Sequence, residues 1–428
     1  MAEKVLIITY YWPPAGGPGV QRWLKFVKYL REFTIEPVVY VPQDPHYPFK
    51  DPTLSEEIPE GITVWKKPIF EPYGLASAFA GKEVHTISKG IIPEKKQTLI
   101  QRCLLWLRGN LFIPDARRFW VRPSVKFLKK KLAHENIETI ITTGPPHSLH
   151  LIGEGLKKHF PNVRWIADFR DPWTTIGYHK DLKLTNYAKR IHEKLEKKVL
   201  TTADHIVVTS PSTATLFKAH TSRPISVITN GFDKRPDTPQ KRSDKFVLAH
   251  IGSLLTGRNP KILWEVLAEL QKEVEGFAED LELALAGVVS KEVLGEVYSA
   301  GLQNNTRVMG YISHEEVLRL QSSSSVLILI EINREETRSI IPGKLFEYMA
   351  SQTPVIAIGP NEWDVFQILQ KTGIGSGYTY TQKQKLKENI VSYYQNFKEG
   401  VKTTSYPDIE KYNRKYLTAK LANVIKNI

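Results

Sequence analysis

The sequence predicts an α/β protein built from two doubly wound domains, and three observations carry that prediction. Short β-rich runs alternate with helical patterns in two series. A polar, proline-rich stretch without periodicity separates the series, and a length of 428 residues exceeds what one hydrophobic core usually serves. The first series places strands at 4–10, 36–41, 138–143, 163–169, 204–209 and 225–229. The second places them at 245–252, 281–287, 306–310, 325–331 and 353–359, and "DKRPDTPQKRSDK" (233–245) between the series reads as a linker. Boundaries follow at 1–235 for the first domain and 236–404 for the second. Residues 44–135 break the alternation and read as an inserted, largely helical elaboration. At the end, 405–428 is amphipathic, with Tyr412, Leu417, Leu421 and Ile425 at helical spacing, and reads as a helix with one face to bury.

Composition narrows the function classes. A 41% hydrophobic, 24% charged chain is globular rather than disordered. The single cysteine, Cys103, rules out an intramolecular disulfide and any all-cysteine metal site, and fits a reducing cytoplasm. "KVLIITYYW" is too short to span a bilayer and lacks the flanks of a signal peptide, and no other run reaches spanning length. A formal charge of +14 calls for an anionic partner: nucleic acid, a membrane surface or a phosphorylated small molecule. Three basic helical patterns, at 95–109, 122–135 and 183–200, lie in the first half. They read either as solvated faces over buried apolar stripes or as attachment to an anionic lipid surface.

In open parallel sheets ligands bind at the carboxyl ends of strands, so the candidate chemistry lies at the strand ends. After the first strand, "TYYWPPAGGPGVQRWLKFVKYL" sets Gly16, Gly17 and Gly19 among Pro13, Pro14 and Pro18, a stiff loop that lets backbone approach something closely. It does not match GxGxxG, and no GxxxxGK followed by Ser or Thr occurs in the chain. "TTGPPHSLHLIG" puts His147 and Ser148 at a helix start whose N–H groups could meet an anion. "WIADFRDPW" ends a strand with Asp168, Arg170, Asp171 and Trp173, two carboxylates flanking an arginine, either functional or a structural ion pair. In the second series, "HIGSLLTGRNPK" gives Gly252, Ser253, Arg258 and Lys261, cations beside a glycine turn that suit a diphosphate. "IIPGKLFEYMA" sets Pro342, Gly343 and Lys344 at a helix N-terminus, with Glu347 one turn on and able to accept hydrogen bonds from the hydroxyls of a ribose.

With these motifs in this order, together with "VITNGFD" (227–233), "VMGYISHEEVLRL" (308–320) and "PGKLFEYMASQTPVIA", the chain resembles the GT-B glycosyltransferases, and within them the retaining family 4 that includes many bacterial cell-surface polysaccharide enzymes. The resemblance implies two Rossmann-like domains facing a central cleft, with closure excluding water, and a C-terminal helix, 405–428, that crosses back to pack on the first domain, a partner-binding helix being the alternative. It implies a nucleotide diphosphate sugar, UDP- or GDP-linked, in the second domain. A glycan or lipid-linked acceptor would lie in the first, at His147, Ser148 and Trp173. Gly16 and Gly17 would approach the donor across the cleft, while Gly252, Ser253, Arg258 and Lys261 would meet its diphosphate. Gly310, Tyr311 and Ile312 match the segment that reads the base, and Glu347 matches the acid that holds the ribose. The family's first acid falls at Ser339, so the acid that would contact the donor sugar is missing or supplied by a neighbour such as Glu335 or Glu336. The polar residue at the fifth strand end falls at Arg170 or Asp171, Asp171 being favoured.

Transfer would need neither metal nor cofactor, because fixed cations stabilise the leaving diphosphate. Nucleic acid is not expected as a partner, for want of RRM, KH, zinc or helix-turn-helix signatures. The protein would be cytoplasmic, peripheral on the inner face of the membrane. The competing readings are a non-catalytic binder of anionic ligands and an epimerase or phosphorylase on the same scaffold.

Overall fold

The computed structural model describes residues 2–71, 99–175, 179, 182–233, 243–401 and 406–428, and only the backbone of Pro18, Leu99, Ile100, Gln101 and Leu104. The chain divides into two compact units, Met1–Asn230 with Arg414–Ile428, and Gly231–Asn413.

The first unit is a parallel sheet of β1 (Glu3–Ile8), β2 (Ile35–Gln43), β3 (Thr63–Pro68), β4 (Thr139–Gly144), β5 (Arg164–Phe169), β6 (His205–Val208) and β7 (Ile225–Val227). Its order is β3-β2-β1-β4-β5-β6-β7. Helices on both faces bury the central strands, which is why Val5–Ile8 and every residue of β4 are inaccessible. The connections leave β1 in one direction and β4 in the other. The carboxyl ends of these two neighbours, paired from Val5↔Thr139 to Ile8↔Thr142, therefore open a crevice. The helix Pro18–Leu30 starts on a proline whose missing N–H costs nothing at that position. It buries Val20, Trp23, Leu24 and Val27. The last helix, Arg414–Asn427, packs on it and adds Leu417, Leu421 and Ile425 to the same core.

The second unit repeats the plan with β8 (Phe246–Ile251), β9 (Leu281–Ala286), β10 (Thr306–Gly310), β11 (Val326–Ile330), β12 (Val355–Gly359) and β13 (Gly375–Thr379), in the order β10-β9-β8-β11-β12-β13. All its pairings are parallel, and the order reverses between β8 and β11. β8, β11 and β12 are buried end to end.

Two edge strands escape the sequence reading. Residues 44–135 are not simply a helical insertion, because β3 lies within them and extends the sheet from Val38↔Thr63 to Gln43↔Pro68. The helix Arg118–Glu135 then returns the chain to β4. "TVWKKP" shows no apolar run because an edge strand tolerates lysines and a terminal proline. β13, "GSGYT", is masked by its glycines, and the backbone is so close that a Cβ on Gly375 would stand 1.9 Å from the Val355 carbonyl oxygen. Residues 234–242 of the expected linker and 95–98 of the first basic segment lie outside the described residues. Tyr412 ends a short 3-10 turn, Pro407–Tyr412, and contacts Phe346 of the second unit, so the terminal helix begins only at Arg414.

Leu421→Ala removes a fully buried side chain from the contact that joins the terminal helix to the first core. It should lower unfolding free energy by about 2–5 kcal/mol in a denaturant titration.

Candidate active site

In the first unit the strand-end loops are held together by side chains. Asp168 sits at the end of β5, buried. It accepts hydrogen bonds from Arg22 Nη2 at 2.9 Å, Trp23 Nε1 at 3.0 Å and Thr143 Oγ1 at 2.8 Å. Arg22 also donates to the Thr229 carbonyl at 2.8 Å. This is the structural ion pair of the region: a buried carboxylate with three donors, tying the first helix to β4 and β5.

Arg170 staples three loops. Its Nε donates to the Gly144 carbonyl at 3.3 Å and its Nη2 to the Pro145 carbonyl. A Cβ on Gly19 would stand 1.6 Å from Nη1, and the guanidinium lies 5.7 Å from the centroid of the Tyr11 ring. Gly19 thus answers to Arg170. Gly16 likewise answers to Phe49, whose ring a Cβ would meet at 2.3 Å and whose carbonyl accepts the Gly16 N–H at 3.1 Å. Of the two glycines expected to face the donor, only Gly17, at φ 101°, has open space where a side chain would be. Asp171 is half-buried, and burial pushes its carboxyl above the ordinary range, with Arg170 opposing and Asp168 adding to the shift.

The three residues expected at the acceptor, His147, Ser148 and Trp173, are all buried. Ser148 gives its N–H and hydroxyl to Asp115, at 2.9 and 2.8 Å, so the helix Ser148–His159 meets an anion of its own chain. Trp173 donates Nε1 to His192 Nδ1 at 3.1 Å and its backbone N–H to Glu196 at 3.0 Å. His147 stacks on Trp173 at 5.0 Å. It belongs to a buried aromatic cluster with His150, His179 and His192. Burial holds all four rings neutral, with His150 pushed down to about 3 and His179 to about 4.

In the second unit the expected residues converge on the β8/β11 switch point. Gly252 (φ 128°), Gly287 (φ 112°) and Gly310 (φ 65°) end the adjacent strands β8, β9 and β10. Gly252 N–H bonds to the Ala286 carbonyl at 2.7 Å and Gly287 N–H to the Gly310 carbonyl at 2.6 Å. A Cβ on Gly287 would stand 2.6 Å from the Gly252 carbonyl oxygen, so Gly287 is required on both steric and φ grounds, and positive φ favours glycine at Gly252 and Gly310. A Cβ on Gly252 would fall 1.9 Å from Lys344 Nζ, which places that ammonium directly over the turn. Lys344 is the second residue of the helix Gly343–Ser351, whose N-cap, Pro342, makes no side-chain cap. Arg258 stands beside them and bonds to Glu331, Nε at 3.2 Å and Nη2 at 3.1 Å. Beneath, His250 donates Nδ1–H to the Ile328 carbonyl at 3.1 Å, and burial, then Lys344, pushes it down to about 3. The site therefore gathers Gly252, Arg258, Gly343, Lys344 and Glu347, with Glu347 exposed on its helix. Two cations over a glycine turn at a helix N-terminus can take a diphosphate.

Lys261 does not join them. It is exposed and pairs with Glu296 at 2.8 Å, on the helix Lys291–Ser299, because its helix starts three residues beyond Arg258 and points it along the neighbouring element. Ser253 and Tyr311 are exposed and Ile312 half-buried. Ser339 is half-buried near the short turn Glu335–Thr337, which carries Glu335 exposed and Glu336 half-buried. Sequence reasoning missed Glu331, His250 and Gly287. Glu331 had one signal: it is the charged residue that closes the apolar run "SVLILIE". Among the described residues no group of three or more His, Cys, Asp or Glu could hold a metal ion.

Comparison with known proteins follows the same division. Residues 232–362 match the family model of glycosyl transferases group 1. No curated protein matches the chain in sequence. Among solved structures, the chain is similar to sucrose-phosphate synthase from Thermosynechococcus elongatus, with TM-score 0.57, 16% identity and coverage of 99% of this chain and 98% of the other. It is similar to Anabaena Alr3699/HepE in complex with UDP-glucose, with TM-score 0.58, 14% identity and coverage of 99% and 100%. It is also similar to a putative UDP-N-acetylglucosamine 2-epimerase from Listeria monocytogenes, with TM-score 0.53, 12% identity and coverage of 100% and 96%. The chain has the GT-B architecture of two Rossmann-like units, and the matched segment carries the whole of the second-unit cluster. Together these findings support glycosyl transfer as the activity class.

The buried histidines give the first unit a pH signature. A ring protonated below about 6.5 in the unfolded chain but held neutral in the fold costs stability as pH falls from 6.5 toward its folded value. Denaturant titrations at pH 7.5 and 5.5 should show lower stability at 5.5, and His150→Gln should narrow that difference.

Proposed function

We propose that this protein is a retaining glycosyltransferase of the family 4, hexosyltransferase type, moving a sugar from a UDP- or GDP-linked donor to a hydroxyl of a glycan or lipid-linked acceptor in cell-surface polysaccharide synthesis. The observation that carries the reading is the convergence of Arg258, Lys344 and the open helix end at Gly343 over the Gly252 turn, inside the group 1 segment. As the glycosidic bond lengthens toward an oxocarbenium-like transition state, negative charge builds on the departing diphosphate. Arg258, Lys344 and the helix N–H groups stabilise that charge without the reorganisation that water would need. The fixed cations supply what a divalent metal supplies elsewhere, so metal is not required. The acceptor hydroxyl attacks on the face the diphosphate leaves and passes its proton to a diphosphate oxygen, which gives retention. Glu347 holds the ribose, and Asp171, in the first unit, orients the acceptor.

The anionic partner belongs with the first unit. It carries 38 Lys and Arg against 21 Asp and Glu, whereas the second unit carries 21 against 24. Exposed Trp106, Leu111, Phe119 and Phe70 lie on the same unit, a composition suited to the surface of an anionic bilayer. No helix among the described residues is long and apolar enough to cross a membrane. Peripheral attachment on the cytoplasmic face, with a lipid-linked acceptor, accounts for both facts.

Thermal denaturation with UDP, GDP, ADP and their sugars, with and without EDTA, tests the donor site. One nucleotide at a hundredfold excess over its Kd should stabilise by about 2.7 kcal/mol, in EDTA as well. Arg258→Ala and Glu347→Ala should abolish the shift. A shift in none of the panel would refute the reading.

A further inference from the structure

In the second unit, the glycine turn and the two cations rest on a residue that the functional reading does not use. Glu331 follows β11 directly, across the switch point from Gly252. Its side chain is 2% exposed, yet it ends an apolar strand, so its charge is desolvated at a cost that its partners must offset. The carboxylate is aimed by its own backbone. Oε1 accepts the Ile332 N–H at 2.8 Å, and the Glu331 carbonyl accepts the Tyr380 hydroxyl at 2.8 Å. So fixed, Oε1 takes the Nε and Nη2 of Arg258 at 3.2 and 3.1 Å, with Oε2 at 3.5 Å from Nη2. One edge of the guanidinium is thereby committed while the side chain as a whole stays 35% exposed. Arginine's planar fork makes the rest of the group point where that edge dictates.

We propose that Glu331 is the positioning residue of the diphosphate half-site: it aims Arg258, so that this cation is set beside Lys344 before a diphosphate arrives. The inference rests on the donor reading of this unit. Lys344 stands among His250 on β8, Arg258 in the turn that follows, Glu331 after β11 and Glu347 on its own helix, with Tyr380 against Glu331. Burial and then Arg258 push the Lys344 ammonium below its usual range, and Glu347 and Glu331 push it back. Without the Glu331 charge, the second cation would be surrendered at a lower pH.

The inference predicts a sign that plain electrostatics reverses. A carboxylate that merely lies near an anion site repels the anion, and neutralising it tightens binding. A positioning carboxylate, when neutralised, loosens binding. The experiment is calorimetric titration of the full chain with UDP and GDP from pH 6.5 to 9.5, comparing wild type with Glu331→Gln and Glu331→Asp. Glu331→Gln should bind the preferred nucleotide about tenfold more weakly, the loss of one well-aimed charged hydrogen bond, and its binding should fail at a lower pH than in wild type. Glu331→Asp keeps the charge but withdraws from Arg258. It should weaken binding while leaving the alkaline limit in place, and it serves as the test if the glutamine variant does not fold. Wild-type binding with unchanged or tighter binding in the variants overturns the role of Glu331 alone. No binding of either nucleotide by wild type overturns the donor reading with it.

Discussion

A parallel sheet must bury both its faces, so its strands can offer chemistry only at their ends, and only where the connections diverge does an end stay open. Each unit here has one such place, β1 beside β4 and β8 beside β11, and the residues with chemical character cluster there. The two places are used differently. At the first, Asp168, Arg22 and Arg170 spend their charge on binding loops to one another. At the second, Arg258 and Lys344 keep charge in hand, steadied by Glu331 and lodged on a turn where three glycines bring backbone to contact distance.

This contrast sets what each half can do. A loop assembly whose ion pairs are satisfied internally is held in one shape and presents few charges of its own. At the second, Arg258 and Lys344 meet a helix N-terminus, an arrangement that favours an anion and is worth most against one that gains charge during reaction. The separation of charge between units follows the same logic at larger scale. The second unit is near neutral, and the first holds the net positive charge of the chain.

Much of this was legible in the sequence because central parallel strands are apolar runs and strand-end glycines stand out. β8, β11 and β12 could be read directly, and so could Gly252, Arg258 and the Pro342–Lys344 helix start. Edge strands could not, because β3 and β13 need no apolar run and their residues resemble loops. Residue types also failed to disclose which partner a charge would choose. Lys261 and Arg258 look equivalent three positions apart, yet one pairs on the surface with Glu296 and the other with buried Glu331. His147, Ser148 and Trp173 have the chemistry of a ligand site, but Asp115, His192 and Glu196, each from a distant stretch of chain, take up their environment. Side chains committed to long-range partners are invisible to local pattern, and Glu331 and Arg170 became meaningful only through such contacts.

The central claim is that the β8/β11 strand ends of the second unit receive the diphosphate of a nucleotide. Hydrogen–deuterium exchange of the full chain, with and without saturating UDP or GDP, tests it most directly. The account predicts that one of these nucleotides slows exchange in 250–258, 308–312, 330–332 and 342–348, and leaves the buried cluster around Trp173 unchanged. Protection confined to the first unit, or no protection by a nucleotide shown independently to bind, would contradict it.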